Sequence, residues 1–114
     1  MGKFVIIETP SQEFRFNLMT SNGAVILSSE IFKTLEDCEK SIATVKHIAL
    51  NDNHYELLMS NNGRYYFNLK SGNGQIIGTS QMYERIQGRE KVIDAIKRDA
   101  PSASIKVQDG FFFF

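Results

Sequence analysis

The apolar positions of this chain change period in a fixed order, and they do so twice. Phe4-Val5-Ile6-Ile7-Glu8 is a short β-rich run closed by Thr9-Pro10-Ser11. Phe14, Phe16 and Leu18 then alternate with Arg15, Asn17 and Met19. A period of two with the apolar residues on one side predicts a half-buried strand. Asn22-Gly23 signals a turn, since both residues tolerate positive φ. Ala24-Val25-Ile26-Leu27-Ser28 predicts a third strand that completes a hairpin. From Leu35 the apolar spacing lengthens to threes and fours through Cys38, Ile42, Val45 and Ala49, which is one stripe of a helix. Thr34 followed by Asp37 has the form of a capping box with the shorter acid.

A shift of about fifty-one residues lays the second half on the first. Phe16-Asn17-Leu18 falls on Phe67-Asn68-Leu69, Asn22-Gly23 on Asn73-Gly74 and Glu39-Lys40 on Glu90-Lys91. A repeat at this period means one supersecondary unit built twice. In the second copy Tyr55–Met59, Tyr65–Lys70 and Gln75–Gly78 are the expected strands. The helical stripe runs through Ile86, Arg89 or Val92, Ile93, Ile96 and Ala100 to the stop at Pro101. Gly88 near its first turn weakens the helix start. Ile105-Lys106-Val107 has the makings of a final short strand.

The expected fold is therefore α+β: two tandem βββα repeats, 3–50 and 54–101, antiparallel throughout, with one helix per repeat and a pseudo-twofold between them. Asn51-Asp52-Asn53 joins the repeats without the composition of a linker, so residues 1–110 should form one compact domain. Each repeat alone is near the lower size limit for independent stability, which favours apolar faces buried against each other. The tail Phe111-Phe112-Phe113-Phe114 has no counterpart in the repeat and is expected to stand outside the fold.

Charge and composition narrow the function classes. The chain of 114 residues carries 13 Lys and Arg against 13 Asp and Glu, a balance that argues against a generic polyanion binder. No apolar run is long enough to span a membrane. The opening Met1-Gly2-Lys3-Phe4 leads into a short apolar stretch broken by Glu8 and Pro10, unlike a signal-peptide core. The single cysteine, Cys38, precludes an intrachain disulfide, and the cytoplasm is the expected compartment.

The stretch Tyr66-Phe67-Asn68-Leu69-Lys70, then Asn73-Gly74-Gln75-Ile76-Ile77-Gly78-Thr79-Ser80-Gln81-Met82-Tyr83, resembles the repeat of the YegP-like family of small bacterial proteins. Phe14-Arg15-Phe16-Asn17-Leu18 and the residues from Asn22 to Glu30 look like a more divergent copy. The family pattern has a small residue before the helical Ile, where this chain has Ser41 and Val92. The resemblance implies a fold, a bacterial source and units that pair when single and fuse when tandem. It brings no activity or catalytic residue with it.

No catalytic, cofactor or metal constellation assembles in the sequence. His47 and His54 lack metal-spaced partners, and their repeat counterparts are Arg98 and Lys3; both are expected at the surface. Cys38 on the inward stripe reads as a small hydrophobe. The glycines of the turns precede strands, not helices, so they do not form phosphate loops. Two surfaces remain. Asn17 and Asn68 lie on the polar side of equivalent strands, where Asn is disfavoured, and Arg15, Tyr66 and Lys70 accompany them as a candidate ligand or partner surface. Lys40 and Lys46 in one unit, with Lys91, Lys97 and Arg98 in the other, give each helix a basic outer side, although acids are interleaved. The first expectation is a non-enzymatic protein- or peptide-binding module using a sheet face or an exposed strand edge. The alternatives are a nucleic-acid accessory protein using the basic helix faces, or a small-molecule sensor or enzyme built on Asn17 and Asn68. Fusion of two units favours a monomer, and an unpaired edge strand leaves room for a dimer.

Overall fold

The computed structural model describes residues 2–108, and the tail Phe111–Phe114 lies outside the described residues. In chain order the elements are β1 (Lys3–Glu8), β2 (Phe14–Met19), β3 (Val25–Ser29), α1 (Leu35–Ile48), β4 (Tyr55–Met59), β5 (Tyr65–Lys70), β6 (Ile76–Thr79), α2 (Ile86–Asp99) and β7 (Ser104–Gln108). One-turn 3-10 segments at Asp52–His54 and Ala100–Ser102 follow the two helices.

Three of the hairpin turns are built alike. In each, a hydroxyl residue donates to the Asn side chain two positions on: Thr20 to Asn22, Ser60 to Asn62 and Ser71 to Asn73. The following glycine takes positive φ and returns its N–H to the carbonyl of the hydroxyl residue at 3.0 Å. The asparagines themselves keep negative φ, so the glycine alone supplies the left-handed step. The fourth turn, between β1 and β2, has Gln12 in the glycine's place, with φ 65°.

All seven strands form one sheet in the order β4-β5-β6-β3-β2-β1-β7. The two repeats meet where β3 pairs antiparallel with β6, Ser28 opposite Thr79 and Ser29 opposite Gly78. The sheet is mixed, not antiparallel throughout: β7 runs parallel to β1, with Phe4 opposite Ile105, Val5 opposite Lys106 and Ile6 opposite Val107. The chain leaves α2 through the 3-10 segment, which packs against both helices, and crosses to the far edge of the sheet. Lys46 anchors that crossing by donating to the Ala103 carbonyl at 2.7 Å.

One hydrophobic core unites the inward residues of both repeats with both helices, which places α1 and α2 on the same sheet face. Phe4, Phe16, Leu18 and Leu27 meet Ile42 and Val45 in the first repeat; Phe67 and Leu69 meet Ile93 and Ile96 in the second. Strict alternation would send Ile26 to the face opposite Leu27, yet both are in the core. A bulge explains this: β3 inserts one residue against β2 between the pairs Leu18–Leu27 and Met19–Val25. The same shift between Leu69–Gly78 and Lys70–Ile76 brings Ile77 inward. Thr34 caps α1 by accepting the Asp37 N–H at 3.0 Å. Arg85 at the start of α2 makes no side-chain cap, in line with the weak start expected there. Val92, the bulkier residue, packs half-buried against the core.

Candidate functional site

The sheet face away from the helices carries Arg15, Asn17, Tyr66, Asn68 and Lys70, all half-buried. Asn17, Asn68 and Lys70 spend polar atoms on neighbouring strands. The Ser28 hydroxyl donates to Asn17 Oδ1 at 2.9 Å, and the Thr79 hydroxyl donates to Asn68 Oδ1 at 2.8 Å. Asn68 Nδ2 donates to Glu56 Oε1 at 3.2 Å, and Glu56 Oε2 pairs with Lys70 Nζ at 3.4 Å. Since Ser28 and Thr79 are themselves register partners, one row of polar side chains crosses five strands. Two asparagines in equivalent strands are thus accounted for by cross-strand bonds. Ser29 and Ser80 do related work: each hydroxyl accepts a β-strand N–H, from Phe16 at 2.8 Å and Phe67 at 3.0 Å.

Three of the five helix cations have partners within the fold. Lys40 and Lys91 are exposed. Lys46 is held by the Ala103 carbonyl, Lys97 pairs with Asp52, and Arg98 pairs with Asp99 at 3.1 Å. The bond to Asp52 raises the Lys97 pKa, and the Arg98 guanidinium holds the Asp99 carboxyl below its usual range.

Cys38 is fully buried, and burial, with the charge of Glu39, pushes its thiol up to about 11. Its counterpart Arg89 is also largely buried. It reaches the Leu58 carbonyl at 3.3 Å, pairs with Glu90 at 3.2 Å and lies over the Tyr65 ring at 5.5 Å. His47 is exposed, whereas His54, expected at the surface, is half-buried with Nδ1 2.7 Å from the Lys70 carbonyl. Among the described residues no three His, Cys, Asp or Glu side chains could hold a metal ion. Nor, among them, is any helix long and apolar enough to cross a membrane.

The two ends of the sheet differ. Under the repeat, β4 is the counterpart of β1, and among the described residues β1 is paired on its outer side by β7 while β4 is the terminal strand. Ile6 is 0% exposed; its counterpart Leu57 is 52% exposed and Met59 is 62% exposed. Tyr65 and Phe67 direct their backbone groups toward Tyr83 and Ser80. Alternation then directs Tyr66 and Asn68 at Leu58 and Glu56, and turns the backbone groups of Leu57 and Met59 outward. Beside this edge lies a groove of about 330 Å³ whose lining includes Asp52, Tyr55, Leu57, Ile93, Asp94 and Lys97. Tyr55 is fixed there by its hydroxyl, which donates to the Ala49 carbonyl at 2.7 Å.

Leu57 and Met59 did not stand out in the sequence, because Leu57-Leu58-Met59 reads as an ordinary buried run. The available signal was a count: one extra strand, Ile105–Val107, cannot cover two equivalent edges.

Comparison with known proteins places this geometry among relatives. A family model described as "Domain of unknown function (DUF1508)" matches twice, over residues 11–56 and 60–106. The chain is 40% identical over 105 residues to the UPF0339 protein YegP of Escherichia coli K12, covering 92% of this chain and 96% of that one. It is 39% identical over 105 residues to a UPF0339 protein of Acinetobacter baylyi, with coverage of 92% and 95%. Among solved structures, the solution NMR structure of E. coli yegP, a protein of unknown function, superposes with a TM-score of 0.90 at 39% identity, covering 96% and 95% of the two chains. A UPF0339 protein of Shewanella oneidensis, also solved by NMR, gives 0.89 at 32% identity, covering 93% and 90%.

Proposed function

This chain belongs to the family defined by the DUF1508 domain, a domain of unknown function, and we propose that it is a non-enzymatic protein- or peptide-binding module whose docking rail is the outer edge of β4. The observation that carries this reading is the contrast between Ile6, buried on a strand whose outer edge β7 pairs, and Leu57, half open at the equivalent place on the terminal strand. An edge strand presenting unpaired backbone groups and apolar side chains is a template for another strand, and natural proteins normally blunt such edges with charge, proline or a covering segment. Residues 55–59 contain no lysine or proline, and Glu56, their one charge, points to the opposite face.

The pairing of Ser28 with Thr79, positions equivalent under the repeat, supports an approximate twofold through that pair. On that reading β7 breaks the symmetry by covering one edge and leaving the other for a partner.

A peptide library displayed on phage tests the proposal. Selected against the full chain, it should yield extended peptides that shift the backbone amides of β4 and fail to bind a Leu57→Lys/Met59→Lys variant. Both sites are exposed, so the variant should fold. Selection of no peptide above that variant, or binders that map away from β4, would remove the reading.

A further inference from the structure

We propose that the β4 edge takes an extended peptide running parallel to β4, in which two branched aliphatic residues flank one lysine or arginine. This inference rests on the edge-binding reading and specifies its ligand. The argument uses the chain's own β7 as the pattern. On β1, Ile105, Lys106 and Val107 stand opposite Phe4, Val5 and Ile6. Moving that arrangement by one repeat sets the same three positions opposite Tyr55, Glu56 and Leu57. Register partners share a sheet face. The two aliphatic residues therefore fall on the helix side, over Tyr55 and Leu57, where the groove against Ile93 lies open. The middle residue falls on the other face, beside Glu56.

That middle position decides the chemistry. Beside β1, Lys106 faces the apolar Val5; beside β4, a cation would face the Glu56 carboxylate and share it with Lys70 and the Asn68 amide. Opposite charges directly across strands attract, and like charges repel. Asp94 at the groove also disfavours an acidic peptide, while Asp52 beside it is already paired with Lys97. The direction follows from the lysines. Lys46 sits 5.9 Å from the Phe4 ring centroid and binds the Ala103 carbonyl where β7 enters. Lys97 holds the same relation to Tyr55, also at 5.9 Å, and is placed to receive the carbonyl that precedes a parallel strand.

The test is a titration of the ¹⁵N-labelled full chain with the synthetic peptide Ala-Ser-Ile-Lys-Val-Gln, the sequence of residues 103–108, and with its Lys→Glu counterpart. The lysine peptide should shift the Leu57 and Met59 amides and bind about tenfold more tightly than the glutamate peptide, a factor of about 1.4 kcal/mol. Glu56→Gln should shrink that ratio severalfold, by weakening the lysine peptide and sparing the glutamate peptide, while the Leu57 and Met59 amides still shift. A nitroxide on the peptide N-terminus should broaden signals at the Tyr55 end of β4. Equal binding of the two peptides, broadening at the Met59 end, or shifts confined to β1 would overturn the inference. So would β4 signals that change with protein concentration alone and are restored by Leu57→Lys, since the occupant would then be a second copy. If library-selected peptides still bind β4 in any of these cases, the edge-binding reading survives without this ligand; if no peptide reaches β4, both fall.

Discussion

Leu27 lies on Gly78: a Cβ added to the glycine would stand 3.0 Å from Leu27 Cγ and 3.1 Å from the Ser28 carbonyl oxygen. The two residues occupy equivalent places in the two repeats, so the seam between β3 and β6 is closed by a large side chain on one side and its absence on the other. Two leucines would collide there, and two glycines would leave a void at the centre of the sheet. Gly78→Ala removes a little unfolded-state freedom, worth about 0.4–1 kcal/mol in its favour, but crowds a backbone oxygen that cannot swing away. A net loss of about 1–2 kcal/mol is expected from urea unfolding, within the range for overpacking. Leu27→Ala should cost about 2–5 kcal/mol by itself. In that background Gly78→Ala should be less harmful, and a double-mutant cycle that gives strict additivity would refute the contact.

Gln12 offers the opposite opportunity. It stands where the equivalent turn has Gly63, and both take positive φ, 65° and 82°. The left-handed region costs a non-glycine residue about 1–2 kcal/mol, partly offset by the greater freedom that glycine brings to the unfolded chain. Gln12→Gly should therefore stabilise by about 0.5–1 kcal/mol. Gly63→Gln, where no neighbouring atom lies within 4 Å of an added Cβ, should cost about 1 kcal/mol through conformation alone. Paired thermal melts of the two variants that moved in the same direction would contradict this account.

These cases also mark the reach of the sequence. The alternation Phe14-Phe16-Leu18 and the helical stripe Cys38-Ile42-Val45 were legible because each repeats a buried face at its own period. The bulge that turns Ile26 and Ile77 inward was not, since it depends on the strand alongside. The parallel pairing of β7 was not legible either. All five of its residues are exposed, so no buried period announces it, and its place depends on where α2 delivers the chain. Whether Arg89 or Val92 belonged to the core stripe stayed open in the sequence, because the groups that hold Arg89, the Leu58 carbonyl and the Tyr65 ring, come from β4 and β5. Of the candidate surface, Asn17 and Asn68 were visible from their rarity in strands; the hydroxyls of Ser28 and Thr79 that satisfy them belonged to a register only the fold supplies.

That polar row makes its own prediction. Thr79→Val removes the hydroxyl that donates to Asn68 while keeping a residue suited to a strand. The expected loss is about 0.5–1.5 kcal/mol, the net worth of one hydrogen bond. Asn68→Ala should cost more, since it strips partners from both Thr79 and Glu56. Chemical unfolding of both variants measures the difference, and a neutral Asn68→Ala would show that the row contributes nothing to stability.

Alkaline pH should weaken the fold through groups that stay protonated inside it. The Cys38 thiol is pushed from 9.0 to about 11, first by burial and then by the charge of Glu39. Burial, then the charge of Asp52, raises the Tyr55 hydroxyl, and burial also raises Tyr83. In the unfolded chain the thiol loses its proton near pH 9, while the native thiol keeps it. The unfolded state then binds fewer protons, so stability is full below pH 9 and falls as pH rises toward 11. The thiol alone accounts for up to about 2–3 kcal/mol at pH 11, taking roughly 1.4 kcal/mol per unit. Cys38→Ala should flatten part of this decline while lowering stability at pH 7 through the lost core volume. Urea midpoints measured from pH 7 to 11 for both proteins provide the check. Parallel curves would mean that the buried thiol is not a source of the alkaline loss.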